Sequence, residues 1–101
     1  MDIRLIKGPS EATLEIIEKR SGLSFEKKKP GALGLVQGKV IEMLCAADIA
    51  EKASGVEVGD VRGSCPQNFI ILAIVGDMSD VSEALKQIQE GFEETNFFRG
   101  V

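Results

Sequence analysis

Two cysteines, Cys45 and Cys65, are the residues best suited to chemistry in this chain, which contains no histidine. They are too few and too far apart for a disulfide framework or a CxxC motif, which agrees with a reducing compartment. Without histidine, the commonest general base and metal ligand is missing. Catalysis by one chain would depend on Cys65 alone, with no partner base in view. The sequence therefore argues against an enzyme.

The segment around Cys65, residues 62–67, reads RGSCPQ and allows two interpretations. Gly63 permits backbone conformations that a Cβ resists, and Pro66 fixes φ after the cysteine, so the thiol could be presented rigidly. From turn chemistry alone, Gly63 and Pro66 are simply turn residues, and Cys65 is a small side chain at a hairpin tip. Cys45 lies on a predicted helix, where we expect it in the core because free cysteine is commonly buried.

Length, composition and charge restrict the class of protein. With 101 residues and 44% apolar content, the chain has the size of one small domain. Lys and Arg total 12 against 16 Asp and Glu, a net charge of −4 that disfavours nucleic acid as a partner. The longest apolar run, residues 69–75, is too short to span a membrane. Because residues 1–11 lack the features of an export signal, we expect a cytoplasmic protein with no membrane partner.

Apolar spacing predicts secondary structure in the first third of the chain. Residues 2–7 alternate as a strand, and a helix follows from a Ser10 cap to about Arg20, with Leu14, Ile16 and Ile17 as its apolar stripe. Gly22 is the expected C-terminal cap. Residues 24–31 contain a charge run, a proline and a glycine, which predicts an exposed connector.

The remaining two thirds are predicted to hold three strands and two helices. Residues 32–37 form a buried strand, and residues 39–54 a helix closed by Gly55. Residues 56–61 and 68–75 are paired strands of a hairpin, and Ser79 caps a last helix. We expect an α+β fold, a single sheet with helices on one face. On the middle helix, one side carries the predicted core residues Val40, Met43, Leu44, Ala47 and Ala50.

Several segments resemble the shell domain of bacterial microcompartments, the BMC domain. They are ALGLVQ at residues 32–37, AAD at 46–48, KASGVEV from Lys52 and GDMSDVSEAL from Gly76. In the common form of that domain, the segment similar to residues 3–20 comes last, whereas here it comes first. That order resembles the circularly permuted branch of the family. The resemblance implies one permuted domain with a moved segment (1–22), a connector joining the old termini (23–31), a core (32–92) and a tail (93–101).

The resemblance implies a structural protein of the microcompartment shell, located in the cytoplasm. Family members form flat cyclic hexamers that assemble with other shell proteins, and a hairpin loop lines the central pore. Lys52 matches the lysine that the family places at the hexamer edge. Gly8 and Ser10 replace an arginine and a histidine that are usual in the family. The resemblance therefore does not decide whether the rings pack side by side in the usual way. The matching pore loop consists of Gly63, Ser64, Cys65, Pro66 and Gln67.

The loop sequence GSCPQ also resembles a motif of a divergent permuted subgroup from glycyl-radical propanediol microcompartments, whose pore cysteines are associated with an iron–sulfur cluster. Such clusters are normally held by four thiolates, more than one chain supplies. Six-fold symmetry brings six copies of Cys65 around one axis. We therefore expect a four-iron cluster at the pore, shared between subunits through Cys65. The alternative is a small ferredoxin-like module that binds a regulatory or redox partner, and sizing would separate the two.

Overall fold

The computed structural model describes residues 1–53, 55–63 and 69–93. The elements, in chain order, are β1 (Asp2–Lys7), α1 (Glu11–Ser21), β2 (Ala32–Lys39), α2 (Val40–Lys52), β3 (Val56–Val61), β4 (Phe69–Gly76) and α3 (Met78–Glu93). Their order and type confirm the α+β prediction. Ser64, Cys65, Pro66 and Gln67 of the predicted pore loop, and the tail from residue 94, lie outside the described residues.

The four strands form one antiparallel sheet in the order β1-β2-β4-β3. The predicted hairpin is confirmed, because β3 and β4 pair directly, with Val58 opposite Ile74. β1 completes the sheet on the other side, where Ile3 pairs with Val36 of β2. The apolar strands β2 and β4 therefore occupy the centre, and the segment at the start of the chain is an integral part of the sheet.

The helices cover both faces of the sheet, so the prediction that they share one face is wrong. On one face, α2 and α3 close a buried cluster in which Met43 joins Val36. On the opposite face, Ile17 of α1 joins Leu33 in a second cluster. Since Leu33 and Val36 are separated by an odd number of positions, their side chains point to opposite faces of β2. Both faces of the apolar central strands need cover, and one layer of helices supplies only one.

The ends of α1 are those that the sequence predicts. Ser10 is the N-cap, and its Oγ accepts a hydrogen bond of 3.2 Å from the backbone N–H of Thr13. Gly22 follows the last turn with φ of 77°, a left-handed conformation, and its N–H donates to the carbonyl oxygen of Glu18. Both ends are fixed by local chemistry, the hydroxyl at the start and the missing Cβ at the end.

The ends of α2 and α3 differ by one or two residues from the prediction. α2 ends at Lys52 with Ala53 as its cap, and Gly55 lies beyond it with φ of 85° in the turn before β3. α3 begins at Met78, so Ser79 lies within the first turn and is not the cap. Shifts of this size are expected at helix ends, where backbone hydrogen bonding decides more than residue type.

Three apolar side chains that the sequence predicts in the core are exposed on the outward faces of the helices. Met43 and Ala50 of α2 are buried, but Val40 and Leu44 are exposed by 38% and 64%. On α1, Ile16 is likewise exposed, by 54%. Periodicity alone placed these three side chains in the core. By contrast, the α3 prediction is confirmed by a buried or half-buried series of Val81, Ala84, Leu85, Ile88 and Phe92.

The connector between α1 and β2 is held against the domain, although it was predicted to be simply exposed. The half-buried Phe25 packs against the cluster beneath α1, and its N–H donates a hydrogen bond of 2.8 Å to Oε2 of Glu18. Pro30 is buried. The lysines that precede Pro30 are exposed. A joining segment with this many contacts contributes to the fold as well as linking two parts of it.

Candidate functional site

The loop between β3 and β4 is the candidate site, and the structure fixes its base. The last residue pair of the hairpin on the loop side is Val61 with Ile71. Arg62 and Gly63 follow and are exposed. Because Cys65 comes after them outside the described residues, its placement stays a prediction, as does the role of the pore loop.

Helix α1 supports the start of this loop. The N–H of Arg62 donates a hydrogen bond of 2.8 Å to the carbonyl oxygen of Arg20. The guanidinium Nη1 of Arg20 lies 3.8 Å from the position that a Cβ on Gly63 would take. A permanently charged group therefore lies beside the backbone that leads to Cys65. Arg20 could not be recognised from the sequence as part of this site, because its place in the last turn of α1 marks it only as a basic residue at a helix end.

Cys45 is half-buried on α2 and is not part of the buried core, contrary to expectation. The buried positions of that helix are Met43, Ala46 and Ala50. Within residues 1–53, 55–63 and 69–93, no group of three or more His, Cys, Asp and Glu side chains could hold a metal ion. A metal site would therefore require the segment around Cys65, a further copy of the chain, or both.

Lys52 is the last residue of α2 and is exposed. Its Nζ lies 2.6 Å from Oδ2 of Asp48, one helical turn earlier, and both side chains are substantially accessible. The pair leaves the ammonium group near the surface, where a neighbouring molecule could reach it. Its role at a hexamer edge stays a prediction, because that contact requires a second ring.

Gly8 and Ser10, where the resemblance implies an arginine and a histidine, both have local structural uses. Gly8 has φ of 52°, in the left-handed region that glycine adopts more readily than arginine. Its N–H donates a hydrogen bond of 2.9 Å to the carbonyl oxygen of Gly31. Ser10 caps α1. These residues therefore fix the turn from β1 into α1. In the described parts of the chain, no helix has the length and apolarity needed to cross a membrane.

Comparison with known families identifies the domain. Residues 32–98 match the BMC domain, and the chain belongs to this family. It is a shell protein of a bacterial microcompartment, a structural class whose members assemble with one another, and it resides in the microcompartment shell within the cytoplasm. A search of curated proteins found no match.

Solved structures support the same family. The ligand-free GrpU microcompartment shell protein from Clostridiales bacterium 1_7_47FAA is 43% identical, with a TM-score of 0.70 over 88% of each chain. The ligand-free GrpU shell protein from Pectobacterium wasabiae is 28% identical, with a TM-score of 0.69 over 87% of this chain and 99% of its own. A CutR screw, form 2 with 33.8 Å pitch, is 26% identical, with a TM-score of 0.61 over 90% of this chain and 82% of its own.

Proposed function

We propose that this protein is a homohexameric, non-catalytic shell subunit whose central pore holds an iron–sulfur cluster through Cys65 of several copies. The observation that carries the proposal is the position of Cys65 between two directly paired strands, in a chain that belongs to the BMC family. The two strands are joined at one end of the sheet, where β3 ends and β4 begins. Copies arranged around an axis at that end would bring their thiols together.

The donor set fits a cluster only when chains are combined. A four-iron cluster takes about four thiolates, whereas this chain has two cysteines and no histidine. The proposal assigns the cluster to Cys65 and not to Cys45, which lies on helix α2 and outside the β3–β4 hairpin. A ring of six would supply six copies of Cys65, so two thiols would be left over, or the cluster would occupy several equivalent arrangements. When bound, such a cluster would supply one-electron redox chemistry.

Arg20 favours negative charge near the loop. Several thiolates close to one axis repel one another, and nearby cations offset that repulsion. The Arg20 guanidinium lies beside Gly63, two residues before Cys65 in the chain. In a ring, each loop base would carry one such cation. The described part of the protein thus offers an electrostatic setting that suits anionic sulfur ligands.

We further propose that the domain is a circular permutation of the common BMC arrangement. The match to the family begins at Ala32, the first residue of β2. Yet β1 and α1, which precede it, complete the sheet and cover one of its faces. These elements are not an appendage, and moving them along the chain would leave their neighbours in space unchanged.

The test is anaerobic purification followed by iron, sulfide and visible-absorption measurements. We expect iron and labile sulfide in the wild-type hexamer, loss of both in Cys65→Ser, and retention of both in the matched control Cys45→Ser. Light scattering should give the mass of six chains for all three proteins. Wild-type protein without iron, or a Cys65→Ser variant that keeps it, would contradict the cluster. A monomer or trimer would contradict the ring and favour the ferredoxin-like module.

A further inference from the structure

Large apolar side chains are exposed mainly at the end of the sheet from which the β3–β4 loop extends. This end is defined by the pairing of Lys39 with Phe69 and of Asp2 with Gln37. Five of the seven exposed large apolar residues in the described chain lie at this end or in the first half of α2, which begins there, and only Leu5 and Ile16 lie elsewhere. The five are Met1, Val40, Ile41, Leu44 and Phe69. Exposed large apolar side chains that lie close together commonly mark a surface that binds another protein molecule.

The most exposed of these residues belong to one stripe of α2. Ile41 and Leu44 are exposed by 73% and 64%, whereas Met43 and Ala46 are buried against the domain. Residues three or four apart share a helix surface, so Asp48 and Lys52 continue the stripe that Ile41 begins. The outward stripe of α2 is therefore apolar in its first half and charged in its second half.

The direction of α2 relates this stripe to the candidate pore. α2 starts directly after Lys39, beside the loop end of the sheet, and its thirteen residues extend about 20 Å away from it. Ile41 and Leu44 are thus near the loop, and the pair of Asp48 and Lys52 is far from it. In a ring with the loops at its axis, neighbouring subunits approach one another most closely beside the loops.

We infer that Ile41 and Leu44 form the apolar contact of α2 with a second copy of this chain inside the ring. The inference rests on the proposed hexamer, and it names the residues and the partner. Cores of protein interfaces are depleted in charge, and between Val40 and Cys45 the only charged residue is Glu42. Its carboxylate accepts a hydrogen bond of 3.1 Å from the N–H of Lys39 and so is directed toward the helix start.

The second copy must contribute a different surface, because contacts in a cyclic ring are heterologous. The stripe therefore does not pair with itself, and a closed dimer is not the expected product. The charged half of the stripe remains outside the contact, and the edge role proposed for Lys52 belongs to that half. The first half of α2 would thus contact a neighbouring subunit within the ring, and the second half would contact a neighbouring ring.

Cys45 provides an independent probe of this surface. It lies one helical turn after Ile41, adjacent to Leu44, and is half-buried in the single chain. A neighbouring copy covering Ile41 would reduce access to this thiol. In a Cys65→Ser background, Cys45 is the only cysteine left, so its alkylation by iodoacetamide reports on this surface alone.

The test is the double variant I41Q/L44Q, since glutamine keeps helix propensity while removing apolar contact. We expect the mass measured by light scattering at micromolar concentration to fall from six chains to one, with helical circular dichroism retained. Alkylation of Cys45 should become about tenfold faster. The matched control is Ile16→Gln, which changes an equally apolar, 54% exposed residue on α1 and should leave both readouts unchanged.

The outcomes separate the two proposals. A monomeric wild-type protein would overturn the proposed hexamer and, as a result, the proposed contact within the ring. A hexameric wild type whose double variant stays hexameric, with Cys45 equally slow to react, overturns only the contact. If the double variant kept its ring but no longer assembled into sheets of rings, the stripe would lie between rings. That result would also overturn the proposed contact inside the ring. If the double variant fails to fold, the single variants Ile41→Gln and Leu44→Gln provide the same comparison.

Discussion

The backbone N–H of Arg62, the first residue after β3, donates a hydrogen bond of 2.8 Å to the carbonyl oxygen of Arg20 in the last turn of α1. The final carbonyl groups of a helix have no partner within it, so this bond satisfies one of them. It also fixes where the loop toward Cys65 begins. Because residue 20 precedes the matched range 32–98, the segment before the family match supports the candidate site directly.

A rearranged chain tests the proposed permutation. Residues 28–101 followed by a flexible Gly/Ser linker and residues 1–27 should fold, because the new ends fall among exposed lysines. We expect cooperative thermal unfolding by circular dichroism and the same iron content per chain as the parent. As the control, a chain opened between Gly34 and Leu35 should not fold, since that break divides the central strand β2. Failure of the first rearrangement would contradict the interpretation.

Gly76 at the end of β4 should not tolerate a side chain. A Cβ there would lie 2.6 Å from the carbonyl oxygen of Gly55, and a backbone atom cannot move aside cheaply. Gly76→Ala should lower the free energy of unfolding by about 1 to 3 kcal/mol, measured by urea denaturation. The control Gly31→Ala places its Cβ no nearer than 3.7 Å to another atom and should cost much less. Equal losses in the two variants would argue against the close approach.

Lys52 should affect assembly of rings and not the stability of the domain. Both partners of its ion pair with Asp48 are exposed, so Lys52→Ala should change the free energy of unfolding by less than about 1 kcal/mol. We expect the hexamer mass to persist while electron microscopy shows fewer extended sheets. Lys86→Ala on the exposed side of α3 is the control. Unchanged sheets in Lys52→Ala would exclude the edge role, an outcome consistent with the departures at Gly8 and Ser10.

Local chemistry explains which parts of the fold the sequence predicted. The cap at Ser10, the left-handed end at Gly22 and the alternation in β3 each depend on a few neighbouring residues. The side of the sheet that α1 covers does not depend on neighbouring residues in this way. β2 and β4 are apolar on both faces, so their sequences require two layers but do not say which helix supplies which.

Periodicity was wrong about Leu44 for a physical reason. An apolar side chain that packs within its own chain and one that stays exposed on the helix surface can follow the same helical spacing. Only the structure of the single chain separates them, because Met43 is buried there and Leu44 is not. The roles of Lys52 and Cys65 stay predictions for a related reason. Both depend on contacts among several molecules, which one amino-acid sequence specifies only indirectly.

The placement of α1 opposite α2 and α3 gives an assembled wall a polarity. Rotation about an axis normal to a ring never exchanges top and bottom, so every subunit would present α1 on the same side. The two surfaces of such a layer would differ in every ring. A molecule that crossed the shell through a pore would therefore meet different protein surfaces at the two openings. The difference between the two sides of the wall would follow from the fold of each subunit.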